Sequence, residues 1–228
     1  MDIQSVFEKQ GGIFLSSAED MANKLKDIRC FVFDWDGVFN NGIKADPKKG
    51  SPFSEPDSMG LNMLRFSHWL LYGKLPITAI ITGANNLTAI DFAKREHLHA
   101  AYLNSKNKKE TLEELASKYD LQSNQVAFTF DDILDLNAAE ISHLSFYIRR
   151  QASPLLQDFI SRRKLCDYIS GREGGNHAIR EITELINGLY GNYDDTVSKR
   201  MEYSGDYKRY LDIRNAVNLD IANAANNS

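Results

Sequence analysis

Three short apolar runs constrain this chain more than any other feature. Cys30-Phe31-Val32-Phe33, Ile77-Thr78-Ala79-Ile80-Ile81 and Val126-Ala127-Phe128-Thr129-Phe130 are almost uninterrupted by polar residues. Each stops abruptly, on Asp34-Trp35-Asp36-Gly37, Thr82-Gly83 and Asp131-Asp132 respectively. A continuous apolar run closed by turn residues is the pattern of a strand buried on both faces, as in a parallel sheet.

The intervening segments read as helices. Met21 and Leu25 share a face over Ser17–Asp27, and Asp57-Ser58 offers a cap for a helix reaching about Leu71. Further helices are expected over 87–97, 108–119, 155–163 and 176–189. Shorter strands are expected at Ala101–Leu103 and Leu144–Ile148, with Asp167–Ile169 as an edge strand. Strands alternating with helices imply an α/β, doubly wound parallel sheet with right-handed crossovers, a Rossmann-like three-layer sandwich. Asn41-Gly42 and Lys49-Gly50 are turn signals for a flap hairpin over about 38–53. After Gly191 the composition turns polar and Tyr-rich, so residues 1–190 read as the domain and 191–228 as a partly helical appendage.

In an open parallel sheet the carboxyl ends of the strands share one edge, so the acids and the Thr-Gly can converge there. Two carboxylates a few Å apart repel by about 4 kcal/mol at an effective dielectric near 20. A divalent cation removes that repulsion, and hard oxygen ligands beside a phosphate favour Mg²⁺. Acidic turns after strands are common, so the order of the whole set carries the argument rather than Asp34-x-Asp36 alone.

That order is Phe33-Asp34-Trp35-Asp36-Gly37-Val38, Ile80-Ile81-Thr82-Gly83, Asn107-Lys108 and Phe130-Asp131-Asp132-Ile133-Leu134-Asp135. It resembles the haloacid-dehalogenase superfamily. Asn41-Gly42, Asp57-Ser58-x-Gly60, Asp167-Tyr168-Ile169, Gly174-Gly175 and Arg180-Glu181 narrow the resemblance to the 3-deoxy-D-manno-octulosonate 8-phosphate phosphatases and related nonulosonate 9-phosphate phosphatases. The resemblance implies Asp34 as a nucleophile forming an aspartyl-phosphate and Asp36 as the acid and base. It implies Gly37, Thr82, Gly83 and Lys108 around the phosphoryl group, with Thr82 and Lys108 counted among the catalytic residues. Mg²⁺ would be held by Asp34, Asp131 and the carbonyl of Asp36. Asp132 and Asp135 would orient Lys108 or water, although Asp135 also reads as an ordinary first-turn acid. His177 follows the Gly174-Gly175 turn and reads as a helix-start residue, with approach to a substrate as the alternative, and His68, His97, His99 and His143 read as structural or surface groups.

Departures from that pattern bear on the substrate. Phe130 stands where the family has Gly, and could crowd the metal loop or pack beneath it. Ala84 and Pro56 stand where the octulosonate enzymes carry Arg, and Asn176-His177 replaces Arg-Gly. Charge-assisted contacts are worth roughly 1.5–3 kcal/mol each, so the preferred sugar acid need not carry over. Neither inter-motif segment has room for a large cap domain, and minimal-cap relatives imply a homotetramer whose flap closes a neighbouring site.

The expected activity is Mg²⁺-dependent hydrolysis of a small phosphorylated metabolite, with a 2-keto-3-deoxy sugar acid phosphate as the leading class. The alternative is a catalytically weak binding or scaffold protein acting through its oligomer. Composition narrows the rest. With 27 Lys plus Arg against 31 Asp plus Glu, the net charge of −4 gives no footprint for nucleic acid or anionic membranes. Hydrophobic residues at 43% and charged residues at 25% exclude a disordered chain. No run is apolar enough to span a bilayer, and the amino terminus lacks the pattern of a secretory signal. Cys30 and Cys166 form no disulfide framework, which points to the cytoplasm.

Overall fold

The computed structural model describes residues 2–44, 52–203 and 205–223. Its strands are β1 (Ile13–Phe14), β2 (Cys30–Phe33), β3 (Ile77–Ile81), β4 (Ala100–Leu103), β5 (Val126–Phe130), β6 (Leu144–Arg149), β7 (Tyr168–Glu173) and β8 (Asp220–Asn223). They form one sheet in the order β1-β7-β6-β5-β2-β3-β4-β8, parallel throughout apart from β1 against β7. From β2 the chain builds outward through β3 and β4, then crosses back to build β5, β6 and β7 on the other side. The topological switch therefore lies at β2, between β3 and β5, where ligands bind in open α/β sheets.

Helices cover both faces. They are α1 (Ile3–Lys9), α2 (Ala18–Leu25), α3 (Glu55–Tyr72), α4 (Leu87–Arg95), α5 (Lys108–Lys118), α6 (Leu136–Ile141), α7 (Pro154–Arg163), α8 (Ala178–Tyr190), α9 (Tyr193–Met201) and α10 (Gly205–Asn215). Alternation along β2 divides the core. Phe31 and Phe33 pack with Leu25, Leu61, Leu64, Phe92 and Ile182 from α2, α3, α4 and α8. Cys30 and Val32 pack with Leu112, Leu115, Ala138 and Ile160 from α5, α6 and α7. A strand buried on both sides needs apolar residues at consecutive positions, which is why β2, β3 and β5 read as unbroken runs.

The structure corrects several boundaries. Helix α3 begins earlier than expected: Ser54 is its cap, accepting from the Asp57 amide. Asp57 serves a different helix, since its Oδ1 accepts from the Arg180 amide at 2.9 Å in the first turn of α8. Ser54 Oγ and His177 Nδ1 share a hydrogen bond of 3.2 Å, and His177 sits at the start of α8 with φ +65°. The strand near 167–169 is not an edge strand, because β1 pairs outside it. A two-residue strand carries too little periodicity to be read in advance. Residues 45–51 of the expected flap lie outside the described residues. Its described parts, 38–44 and 52–53, contain turns and irregular backbone but no strand.

The motifs that narrow the resemblance have structural work. Asp167 Oδ1 accepts from Ser16 and Lys24, each at 2.6 Å, and its Oδ2 accepts from the Ser145 amide at 2.9 Å. Glu181 accepts from Tyr168 Oη and the Gly171 amide, both at 2.7 Å, and from the Arg172 amide at 2.9 Å. These carboxylates join β6, β7 and α8. Beyond Gly191, Tyr207 and Tyr210 of α10 pack on Phe66 and Trp69 of α3, and β8 pairs with β4. No helix among the described residues is long and apolar enough to cross a membrane.

His68 of α3 lies between Phe31, Tyr72 and Tyr190, its Nδ1 at 2.9 Å from Tyr190 Oη. Burial first, then the Arg29 charge, push it down to about 3 from an ordinary 6.5. The unfolded chain therefore binds a proton that the folded one refuses. Between pH 6.5 and 3 this group makes unfolding easier as pH falls, by about 1.4 kcal/mol per pH unit. Equilibrium urea unfolding should show His68→Phe flattening the pH dependence over that window. Unchanged slopes would refute the assignment.

Candidate active site

Register assembles the site. Phe33 pairs with Ile80 on one side and Thr129 on the other, so Asp34 leaves β2 between Thr82 at the end of β3 and Asp131 at the end of β5. The Asp34 amide still donates to Thr129 O at 2.9 Å, which fixes where the first acid emerges. Trp35 turns away into the core, stacked on Phe39 at 5.0 Å and beside Phe53 and Phe92. That anchor separates Asp34 from Asp36 and gives them different surroundings.

Asp34, Asp131 and Asp135 are buried, with one carboxylate oxygen from each lying within 4.8 Å of the others. Lys108, the first residue of α5, is buried with them. Its Nζ lies 2.6 Å from Asp34 Oδ1 and also pairs with Asp135 Oδ1. Burial pulls the Lys108 ammonium down, but Asp34 and Asp135 together overcome it and hold the group above its ordinary range. Burial pushes the Asp34 carboxyl well above its ordinary value; Lys108 draws it back, while Asp135 and Asp131 add repulsion. Burial likewise pushes Asp131 up to about 6, against the Arg150 guanidinium that pairs with its Oδ2.

These oxygens suit a hard divalent cation. Asp131 Oδ1 is buried without a hydrogen-bond partner among the described residues, and it belongs to a clustered, all-carboxylate donor set. The Asp36 carboxylate is not in this cluster. It turns instead toward Lys44, which pairs with its Oδ2, and toward Asn86 Nδ2 at 2.8 Å. Any part of Asp36 in holding a metal would fall to its carbonyl. Asp135 shapes the loop as well as holding Lys108: its Oδ2 accepts from the Asp131 and Asp132 amides at 3.4 and 3.1 Å. Asp132 is exposed and caps the following turn through the Ile133 amide.

Thr82 is buried and its Oγ1 accepts from Asn86 Nδ2 at 2.7 Å, while Gly83 is exposed at the end of β3. Gly37 has φ +86°, and a Cβ there would collide with the Asp131 carboxylate and the Arg150 guanidinium. Gly174 brings the β7–α8 turn against the carbonyls of Gly37 and Asn40 so closely that no side chain fits. Asn40 ties the loop from within, accepting from the Gly42 amide at 2.8 Å and donating to Trp35 O at 3.2 Å. Phe130 does not crowd the metal loop. It lies within the core, stacked at 5.9 Å with Phe128 and packed on Tyr147.

Thus Asp34, Lys108 and Asp131 meet as the sequence suggests, while Asp36 and Thr82 meet through Asn86. Sequence reasoning missed Asn86, Lys44 and Arg150. Asn86 precedes a helix and so reads as a cap. Arg150 directly follows β6, which ends at the same sheet edge, and that position was the available signal.

No family model matches the chain. The 3-deoxy-D-manno-octulosonate 8-phosphate phosphatase of Escherichia coli BL21-DE3 is 29% identical over 182 residues, covering 78% of this chain and 89% of the relative. The corresponding phosphatase of Yersinia pestis is 27% identical over 172 residues, 74% of this chain and 84% of its own. Among solved structures, the Moraxella catarrhalis phosphatase in complex with magnesium, phosphate and KDO superposes with a TM-score of 0.66 at 26% identity. It covers 79% of this chain and 98% of that one.

Adding Mg²⁺ should raise the melting temperature, because a ligand at 100 times its Kd stabilises by about 2.7 kcal/mol. For a chain of this size that is roughly 5–10 °C. Asp131→Asn should remove most of the shift; an equal shift in the variant would contradict the assigned ligand set. In fold, motif order and sequence, the chain has the architecture of the haloacid-dehalogenase-type phosphatases and resembles their 3-deoxy-D-manno-octulosonate 8-phosphate phosphatases.

Proposed function

We propose that this phosphatase hydrolyses the phosphomonoester of a small metabolite through an aspartyl-phosphate on Asp34. The observation that carries the reading is the buried Asp34–Lys108 pair, 2.6 Å apart, beside Asp131 at the switch point of the sheet. A carboxylate in that position can attack phosphorus while Lys108 offsets the charge of both groups.

In the first step an Asp34 oxygen bonds to phosphorus, the ester P–O bond breaks, and Asp36 gives its proton to the leaving oxygen. In the second, Asp36 takes a proton from water as the water oxygen bonds to phosphorus. The acyl-phosphate P–O bond then breaks, releasing inorganic phosphate and restoring the Asp34 carboxylate. Thr82, the Gly83 amide and the backbone after Asp34, opened by Gly37, hold the phosphoryl oxygens. Bound through Asp34, Asp131 and the Asp36 carbonyl, Mg²⁺ would supply charge neutralisation on the phosphoryl group. Lys108, held by Asp135, keeps its charge directed at the reacting oxygens.

The substrate class the relatives suggest is a 2-keto-3-deoxy sugar acid phosphate. Ala84, Pro56 and Asn176-His177 remove cations expected for the octulosonate itself, so a related acid with different carboxylate contacts fits better. The burial of Phe130 in the core removes one motive for a catalytically weak scaffold. Two unpaired buried cysteines, Cys30 and Cys166, suit a reducing cytoplasm. The resemblance also supports a homotetramer closed by residues near 38–53; a single-chain mass in light scattering would remove that part.

A panel of sugar-acid and other phosphate monoesters, assayed with Mg²⁺ and with EDTA, tests the reading. Turnover should require the metal, and Asp34→Asn should abolish it. Asp36→Asn should lower it by about 10²–10⁴-fold, the usual worth of a positioned acid and base. Turnover indifferent to EDTA or retained by Asp34→Asn would defeat the mechanism.

A further inference from the structure

Asn86 occupies the residue before α4, where an Asn side chain ordinarily accepts from the first helical amides. It makes no such bond. Its side chain turns into the site instead. Nδ2 donates to Asp36 Oδ2 at 2.8 Å and to Thr82 Oγ1 at 2.7 Å, and Oδ1 accepts from Lys44 Nζ at 3.0 Å. An ammonium can only donate, so the Lys44 contact fixes which end of the amide faces Asp36. Asn86 is 2% exposed, whereas the Lys44 side chain is 42% exposed. Of the two groups on Asp36 Oδ2, Asn86 is the one locked by its surroundings.

Two donors, Asn86 Nδ2 and Lys44 Nζ, are aimed at Asp36 Oδ2. Asp36 Oδ1, by contrast, is buried and has no hydrogen-bond partner among the described residues. We propose that Asn86 is a positioning residue that fixes where the Asp36 carboxyl group stands in the site by anchoring its Oδ2. The same amide ties Asp36 to Thr82, so the acid and one end of the phosphoryl cradle move as a unit. The helix forgoes its side-chain cap to make this possible. The inference rests on the reading of Asp36 as the acid and base.

The test compares kcat/KM for phenyl phosphate and p-nitrophenyl phosphate with Mg²⁺ in wild type and Asn86→Ser. This ratio reports steps up to phosphoryl transfer, where the phenolate needs the acid's proton far more than the nitrophenolate does. Serine is as good a helix cap as asparagine but too short to reach Asp36, so folding should survive. Loss of positioning should reduce kcat/KM for phenyl phosphate about 10-fold more than for p-nitrophenyl phosphate, a part of the full worth of a general acid. Equal losses for the two esters, or none, would overturn the inference and leave Asn86 a structural residue. Should Asn86→Ser fail to fold, Asn86→Thr supplies the same comparison. A wild-type protein that hydrolyses neither these esters nor any sugar-acid phosphate would overturn the reading of the site itself, and with it this role of Asn86.

Discussion

Three carboxylates held within 4.8 Å of one another, out of water, are the constraint on which the rest of the structure turns. Unit charges 4 Å apart repel by about 4 kcal/mol at an effective dielectric near 20, so a cation must lie among them. Lys108 is that cation, buried between Asp34 and Asp135 at the first residue of α5. Arg150 plays a similar part from outside, pairing with the remaining carboxylate, Asp131. Removing one partner from such a buried group generally costs about 3–5 kcal/mol, because the others are left without compensation. The site is thus held by charges that the fold could not tolerate separately.

Delivering those charges to one place is the work of the sheet. Parallel register brings the ends of β2, β3 and β5 to a common edge, and the crossover from β4 to β5 opens the switch point there. Loop geometry completes the arrangement. Trp35 anchors the first loop in the core, and Gly37 and Gly174 let two backbones approach where side chains would collide. Asp57, Asp167 and Glu181 hold the surrounding elements through backbone amides, which explains why acids outside the site accompany the motifs within it.

Much of this was legible in the sequence because burial on both faces leaves continuous apolar runs. The spans Ile77–Ile81 and Val126–Phe130 can be read to the residue, and the acids that close the runs mark the site. What escaped had physical reasons. β1 is two residues long, and β8 lies in a stretch whose polar composition suggests no sheet. Arg150 and Lys44 look like any solvated cations until the fold brings them to Asp131 and Asp36. Asn86 was hidden by its own position, since a residue before a helix has a ready explanation as a cap. The spacing of Asp34 and Asp36 does not reveal that one carboxylate joins a buried charge cluster while the other is held by an amide and a half-exposed lysine.

The central claim is that Asp34 bonds covalently to phosphorus during turnover. Borohydride reduction of protein quenched during steady-state hydrolysis, followed by peptide mapping, tests it directly, because hydride converts an aspartyl-phosphate to homoserine. The account predicts homoserine at position 34, dependent on substrate and Mg²⁺ and absent from Asp36. Sustained turnover with position 34 recovered only as aspartate, or with the reduced residue elsewhere in the chain, would contradict it.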